Sequence, residues 1–181
     1  MTSVKFCEKQ IDLTDKTVID WDNYMSELCV LDVDNKLNKK VSRPDCIVEI
    51  DERLFTKHKN NCGRVLPEQW VFRDICRETE DSFVVTVSNR CGSTLFDKII
   101  ENIADGTTIY SATWKVYQAN KLEIERFLHA KVNHKYNFID PDTGVHTRTV
   151  ERMWGSAKWK NKRHKRTERH YLESYLSEFL W

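Results

Sequence analysis

The sequence predicts an α/β domain in which helices cover a mixed β-sheet. Three segments rich in β-branched and aromatic residues follow one another in the first half of the chain. Helical and strand-like segments then alternate towards the C-terminus, an order typical of α/β domains. The length of 181 residues and a hydrophobic fraction of 40% suit one such domain with a short appendage.

The first 45 residues are predicted to form that appendage, a helix followed by a linker. Apolar residues recur at helical spacing between Asp15 and Val30, and Thr14 or Asp15 can cap the start. The segment from Leu31 to Asp45 is rich in Asp, Asn and Lys, so we expect a linker there. The domain boundary is accordingly placed between residues 45 and 46.

Residues 46–181 are predicted to form the domain itself. Runs of β-forming residues predict five strands, and these are Cys46–Phe55, Trp70–Cys76, Phe83–Val87, Thr107–Tyr110 and Ala130–His134. Helical periodicity predicts four helices, and these are Ser93–Ile103, Trp114–Asn120, Thr149–Trp159 and Thr167–Trp181. Gly106 is expected to stop the first of these helices.

Composition excludes several classes of protein. No apolar run approaches the ~18 residues of a membrane span, so an integral membrane protein is not expected. Only 5 Gly and 3 Pro argue against a collagen-like or low-complexity chain. Six Trp, 6 Tyr and 8 Phe argue against general disorder, because disordered chains are poor in aromatic residues.

The charges nearly cancel but are unevenly distributed. Lys and Arg total 29 against 28 Asp and Glu, so the net charge of +1 alone predicts no nucleic-acid partner. The segment from Lys158 to Arg169 nevertheless holds seven basic residues and a single acid, Glu168. Such a cluster suits phosphate binding, and the alternatives are a solvated face or a nuclear-import signal.

The six cysteines form no C-x-x-C pair, and no apolar leader precedes them. We therefore expect a reduced, intracellular protein, located in the nucleus if its host is eukaryotic. A structural zinc site is the alternative, because three histidines lie downstream. Those histidines are His129, His134 and His146.

Two sets of polar residues are candidates for chemistry. Asp51 lies on an otherwise apolar strand, where a carboxylate is costly unless it is solvated, paired or metal-bound. Glu151 and Lys158 are seven residues apart, which places them on one side of a helix about 10.5 Å apart. The alternatives are a strand that ends in solvent at Asp51 and a solvated helix face at Glu151.

Several segments together resemble the DDE transposase domain of the insertion-sequence-type family whose animal members are called Merlin elements. The segments are CIVEIDERLF (46–55), NCGRVLPEQWVF (61–72), ICRET (75–79), GTTIYS (106–111), VNHKYNFIDPDTGVHT (132–147) and VERMWGSAKW (150–159). The resemblance covers residues 46–181. The zinc-ribbon head that such enzymes carry upstream is absent, so we expect an N-terminally truncated member.

The resemblance implies an RNase H-like fold whose three carboxylates hold two divalent metal ions, with Mg²⁺ as the expected metal. Asp51 then matches the first acid and Glu151 the third, and both are expected metal ligands. Lys158 matches a lysine that contacts the DNA backbone. The second acid should follow Tyr110-Ser111, but Ala112 occupies that position, and a methyl group cannot bind a metal ion. Asp74 and Asp105, although nearby in sequence, are not expected to reach the site.

The resemblance therefore implies a DNA-binding domain derived from a transposase, in which strand cleavage and transfer are impaired. The basic residues expected to meet DNA phosphates are Lys158, Lys160, Lys162, Arg163, Lys165 and Arg166. Three alternatives remain open. In the first, another group supplies the missing ligand and the enzyme is active. In the second, the chain is a non-enzymatic module that assembles with itself or with intact transposase through the Tyr171–Leu180 helix. In the third, the chain is a decayed transposon copy.

Overall fold

In the computed structural model, the described residues are 12–37, 40–56, 68–112, 126–163 and 172–181, with Phe6 and Gln10. For Leu37, Thr56 and residues 158–163, the backbone alone is described. The elements in chain order are α1 (Asp15–Leu37), β1 (Ile47–Thr56), β2 (Gln69–Cys76), β3 (Val84–Val87), α2 (Gly92–Asn102), β4 (Thr108–Ala112), β5 (Leu128–Val132), α3 (Arg148–Arg163) and α4 (Leu172–Leu180).

The five strands form one mixed sheet in the order β3-β2-β1-β4-β5. β1, β2 and β3 follow one another directly and pair antiparallel. β4 and β5 join on the other side of β1, and both of their pairings are parallel. The predicted mixed sheet is therefore confirmed, and β1, the strand with Asp51, lies at its centre.

Alternation along β1 sends successive side chains to opposite faces of the sheet. Val48 and Ile50 join the apolar core on the face where α2 contributes Leu95 and Ile99. Glu49 and Asp51 point to the other face, which α3 covers. Among the side chains of α3 that the structure describes, those of Val150, Trp154 and Ala157 are buried.

Most predicted elements of the sheet and its helices lie within one or two residues of their observed bounds. Helix α2 ends at Asn102, and Gly106 lies beyond it in the turn before β4, with a φ of +81° that favours glycine. The predicted helix Trp114–Asn120 lies outside the described residues. The same holds for residues 167–171 of the predicted C-terminal helix, of which α4 covers the later part.

The prediction of a linker from Leu31 onwards was wrong for its first seven residues, because α1 continues to Leu37. Two contacts stabilise these additional helical turns. Val33 is buried, and Lys36 pairs with Asp32 one helical turn away at 2.6 Å. Of the apolar residues at helical spacing in α1, Val18 and Cys29 are buried, whereas Trp21 and Leu28 are exposed.

The chain divides into two compact units. One consists of residues 1–36 and 167–181 and contains most of α1 together with α4, which are joined by a hydrogen bond from Ser26 to Glu178. The other consists of residues 37–166 and contains the sheet, α2 and α3. The predicted boundary between residues 45 and 46 stays a prediction. Among the described helices, none has the length and apolar character needed to cross a membrane.

Candidate active site

Asp51 lies half-buried in the middle of the central strand, on the face that α3 covers. Its Oδ2 accepts a hydrogen bond from Arg53 Nε at 2.9 Å. Burial raises the pKa of Asp51, Arg53 opposes that rise, and the negative charge of Glu151 adds to it. The charge of Glu151 therefore acts on Asp51.

Glu151 lies in the first turn of α3, where a negative charge is favoured by the helix dipole. Its Oε1 is 3.3 Å from His134 Nε2, and the same ring nitrogen is 2.7 Å from Thr147 Oγ1. From the sequence, His134 was predicted to lie in a strand, and the only role considered for it was that of a zinc ligand. Because β5 ends at Val132, His134 lies instead in the loop at the carboxyl end of the strand.

Ala112 is the last residue of β4, the strand next to β1 in the sheet. β4 runs parallel to β1 with Ser111 opposite Ile50, so the next residue along each strand places Ala112 next to Asp51 on the same face. Ser111 points to the other face, where its hydroxyl meets His129 Nε2 at 2.8 Å. Ser111 therefore does not substitute for the missing acid, whose expected position is filled by a methyl group.

The two other acids near the site in sequence do not reach it. Asp74 lies opposite Ile50 in the sheet, on the face away from Asp51. Asp74 is fully buried, accepts a hydrogen bond from the Phe83 backbone N–H at 2.9 Å, and has a pKa raised well above its ordinary value by burial. Asp105 precedes β4 and pairs with Lys40 at 3.3 Å. The expectation that neither replaces the second acid agrees with this geometry.

Glu49 ties α3 to the central strand. Its carboxylate is fully buried and accepts hydrogen bonds from the backbone N–H groups of Thr149 and Val150 at 2.8 and 3.0 Å. These N–H groups belong to the first turn of α3 and have no partner within the helix. Arg77 Nε donates to the same carboxylate at 2.7 Å. Because Glu151 follows Val150 directly in the chain, this contact also fixes the position of the Glu151 backbone.

Arg77 extends the contact to the loop before α3. Its guanidinium donates to the His146 carbonyl at 2.7 Å and lies 2.8 Å from His146 Nδ1. Burial and the positive charge of Arg77 lower the pKa of His146, with Glu49 acting in the opposite direction. This role of Glu49 was not predicted from the sequence.

A cationic and aromatic cluster borders Asp51 on the same face. Arg73 lies opposite Asp51 in the sheet, is fully buried, and has its pKa lowered to about 10 by burial. The guanidinium carbons of Arg53 and Arg73 lie 5.8 and 5.6 Å from the ring centroid of Trp154 on α3. The indole thus packs against both cations and helps to hold α3 over the Asp51 face.

The acidic residues on this face fit a hard cation only in part. Asp51 and Glu151 offer the oxygen ligands that Mg²⁺ prefers, but the set lacks its second carboxylate. Among the described residues, one group of three potential ligands has all its ligand atoms within 4.8 Å of one another, and it consists of Cys46, Cys76 and Glu78. The three histidines considered as zinc ligands do not belong to it.

The basic residues predicted to meet DNA lie at the end of α3 and beyond it. The backbone of Lys158, Lys160, Lys162 and Arg163 is helical, which places Lys158 two turns after Glu151 on the same helix. Lys165 and Arg166 lie outside the described residues. The roles assigned to all six residues stay predictions.

Comparisons with known proteins agree with this architecture. Residues 35–181 match the ISXO2-like transposase domain. The fold is similar to a chain of the cryo-EM structure of the simian T-cell lymphotropic virus intasome in complex with PP2A regulatory subunit B56 gamma, with 16% identity and a TM-score of 0.51. That match covers 79% of this chain and 49% of the other, so this chain spans about half the length of that relative.

A second solved structure is the HTLV-2 integrase catalytic core domain in complex with magnesium (dimeric form), with 9% identity and a TM-score of 0.45 over 76% of this chain and 84% of that chain. No curated protein matches the sequence. The family match and the similarity to the intasome chain confirm the expected fold class, an RNase H-like mixed sheet flanked by helices.

Proposed function

Because this chain belongs to the ISXO2-like transposase domain family, we propose that it is a DNA-binding domain derived from a metal-dependent DDE transposase and impaired in strand cleavage and transfer. One observation carries the proposal. Asp51 and Glu151 face the same side of the sheet within electrostatic reach, and Ala112 stands beside Asp51 where a third carboxylate would complete the set.

In this proposal Asp51 and Glu151 hold Mg²⁺, and Lys158 contacts the DNA backbone. A divalent ion at such a site activates the attacking oxygen and stabilises the leaving oxygen of a phosphodiester. Ala112 leaves the site with one negative charge fewer, and water that fills the open coordination position does not restore that charge. Metal binding is therefore weakened, and the reaction is slowed by more than the ~10–100-fold that indirect losses around metal sites cause.

The proposal includes the binding partners of the chain and its location in the cell. The basic run from Lys158 to Arg166 binds phosphates without reading the base sequence. The chain assembles with itself or with an intact transposase, acts inside the cell, and acts in the nucleus if the host is eukaryotic. We also propose that the chain is related to the Merlin-type elements.

The test compares the parent chain with Ala112→Asp on DNA fragments in the presence of Mg²⁺ or Mn²⁺. We expect both proteins to bind DNA, and we expect only Ala112→Asp to nick it. The matched control is the double variant Ala112→Asp with Asp51→Asn, which should bind without nicking. Nicking by the parent chain would refute the impairment, and absence of DNA binding by both proteins would refute the binding function.

One contact favours a second candidate function, an active enzyme in which His134 supplies the missing ligand. Its Nε2 lies 3.3 Å from Glu151 Oε1, a separation compatible with two neighbouring ligands of one ion. An imidazole nitrogen suits Mn²⁺ better than Mg²⁺, because nitrogen is a softer donor than a carboxylate oxygen. This candidate requires Mn²⁺-dependent nicking by the parent chain that His134→Ala abolishes and Lys135→Ala leaves intact.

A further inference from the structure

Three potential metal ligands meet at one end of the β1–β2 pair, on the face of the sheet away from Asp51. Val48 lies opposite Cys76 in the antiparallel register, and the pairing continues with a hydrogen bond from the Arg77 N–H to the Ile47 carbonyl. Cys46 lies two residues before Val48, and Glu78 lies two residues after Cys76. The register places the Cys76 side chain on the face of Val48, opposite to that of Asp51, and the ligand atoms of Cys46 and Glu78 lie beside it.

The ligand atoms of Cys46, Cys76 and Glu78 all lie within 4.8 Å of one another. The distance from Cys76 Sγ to Glu78 Oε2 is 3.4 Å. In a tetrahedral site with Zn–S of about 2.3 Å and Zn–O of about 2.1 Å, neighbouring ligand atoms are separated by roughly 3.6 to 3.8 Å. The three atoms therefore reach zinc-like spacing with shifts of about 1 Å or less.

The Glu78 carboxylate is held at this position by the backbone. The Ile47 N–H donates to Glu78 Oε2 at 3.0 Å, and the Cys76 thiol points to the same oxygen. These hydrogen bonds position the Glu78 carboxylate beside the two sulfur atoms.

The geometry favours a metal ion over a disulfide bond. Cys46 and Cys76 are diagonal neighbours across the strand pair, a relation in which Cα atoms lie about 7 to 8 Å apart. A disulfide needs about 4.4 to 6.8 Å, so its formation would require the backbone to move. A tetrahedral ion spans the longer separation because it adds two metal–sulfur bonds between the side chains.

We propose that Cys46, Cys76 and Glu78 form a binding site for a thiophilic divalent cation of the Zn²⁺ class, with water as the fourth ligand. Binding releases the two thiol protons to solvent and involves no change of oxidation state. Thiolate ligands select this class of ion, whereas the carboxylates of Asp51 and Glu151 suit Mg²⁺, so the two faces of the sheet bind different metals. The ion links the residue before β1 to the end of β2, and its binding stabilises the folded chain.

The test is a titration of the full-length, reduced chain with Cd²⁺ or Co²⁺, in which metal–thiolate bonds give a charge-transfer absorption band. We expect one equivalent to saturate the band, with excess Mg²⁺ having no effect. Cys46→Ser should remove the band, and Glu78→Gln should weaken binding at least tenfold. Cys46 is only partly buried and Glu78 is exposed, so we expect both variants to fold.

Two controls make the result specific. Cys91→Ser alters an exposed cysteine outside the group, and Glu101→Gln alters an exposed carboxylate that pairs with Lys98, so both should keep the parent affinity. Zn²⁺ should also raise the thermal midpoint of the parent but not that of Cys46→Ser. The proposal is overturned if no stoichiometric band forms, or if the band and the thermal shift persist unchanged in Cys46→Ser and Glu78→Gln. It is independent of the proposed DNA-binding function, which these measurements do not probe.

Discussion

Glu49 shows how a single buried carboxylate can set the geometry of a site in which it is not itself a ligand. A fully buried charge is costly unless it is paired and hydrogen-bonded. Glu49 meets both conditions through Arg77 and two backbone N–H groups of α3. The same contacts join the central strand to the first turn of α3, so the site and the stability of the fold depend on one side chain.

Glu49→Ala is expected to destabilise the fold by about 3–5 kcal/mol, the usual cost of removing one partner of a buried ion pair. The loss leaves the Arg77 guanidinium and two helix N–H groups without their acceptor. Urea unfolding followed by circular dichroism measures the change. Glu101→Ala is the matched control, because Glu101 pairs with Lys98 at the surface and should cost at most about 1 kcal/mol. Equal effects of the two substitutions would contradict the anchoring role of Glu49.

His129 is expected to make stability depend on mildly acidic pH. Burial and the nearby charge of Lys131 lower its pKa from 6.5 to about 4. Between these values the unfolded chain binds a proton that the folded chain does not, so stability falls as the pH is lowered from about 6.5 towards 4. Below that window the contribution is constant.

His129→Gln should remove this part of the pH dependence, because a glutamine can still bond to Ser111 but does not titrate. The measurement is the difference in unfolding free energy between parent and variant across the window. The buried Asp74 gives a slope of opposite sign, since its pKa is raised and stability falls as the pH rises above its ordinary value. That slope is common to both proteins and cancels in the difference. A difference independent of pH would refute the assignment to His129.

Among the elements, those whose identity depends on local pattern were predicted well. β1 and α2 were located within a residue or two, because β-branched runs and helical periodicity are local signals. The helical turns from Leu31 to Leu37 were missed, because a run of Asp, Asn and Lys is also typical of linkers. Their support comes from the burial of Val33 and from an ion pair along the helix, and neither can be recognised from composition.

The residues around the site also fall into two groups, those that local sequence patterns indicate and those that only the fold brings together. Asp51, Glu151 and Ala112 were predicted as site positions because each belongs to a recognisable segment, and their roles stay predictions. The contact of Glu49 with Thr149 was not found, because it joins residues 100 positions apart. Cys46, Cys76 and Glu78 follow no sequence spacing typical of metal sites, and the register of two antiparallel strands is what brings them together.

The extent of α1 can be tested directly. Asp34→Pro removes a backbone N–H and places the proline ring against the preceding turn, which costs about 3 kcal/mol inside a helix and little in a linker. Because α1 runs to Leu37 with Asp34 exposed, we expect the larger cost. Asp34→Ala controls for loss of the side chain and should be nearly neutral. Equal unfolding free energies for the two variants would show that the helix ends before this residue in solution.

At the scale of the whole molecule, the prediction concerns how salt weakens DNA binding. Each phosphate contact contributes about 0.9 to the slope of log affinity against log salt concentration. Replacing Lys160, Lys162, Arg163 and Arg166 together by glutamine should therefore reduce the slope by up to about 3.6. Fluorescence anisotropy with duplexes of unrelated sequence measures both the slope and the absence of base preference. Lys36→Gln and Lys98→Gln, which alter lysines paired within their own helices, should leave the slope unchanged.

The position of Ala112 has a consequence for the history of the chain. β4 pairs with β1 as far as Ser111 and with β5 through Ala112, so the proposed loss of the second acid concerns chemistry and leaves the architecture in place. For alanine codons that end in a pyrimidine, a change of one base produces aspartate. If activity returns with that residue, inactivation in this lineage is reversible by point mutation, and a genome that carries such a copy holds an enzyme that ordinary mutation can revive.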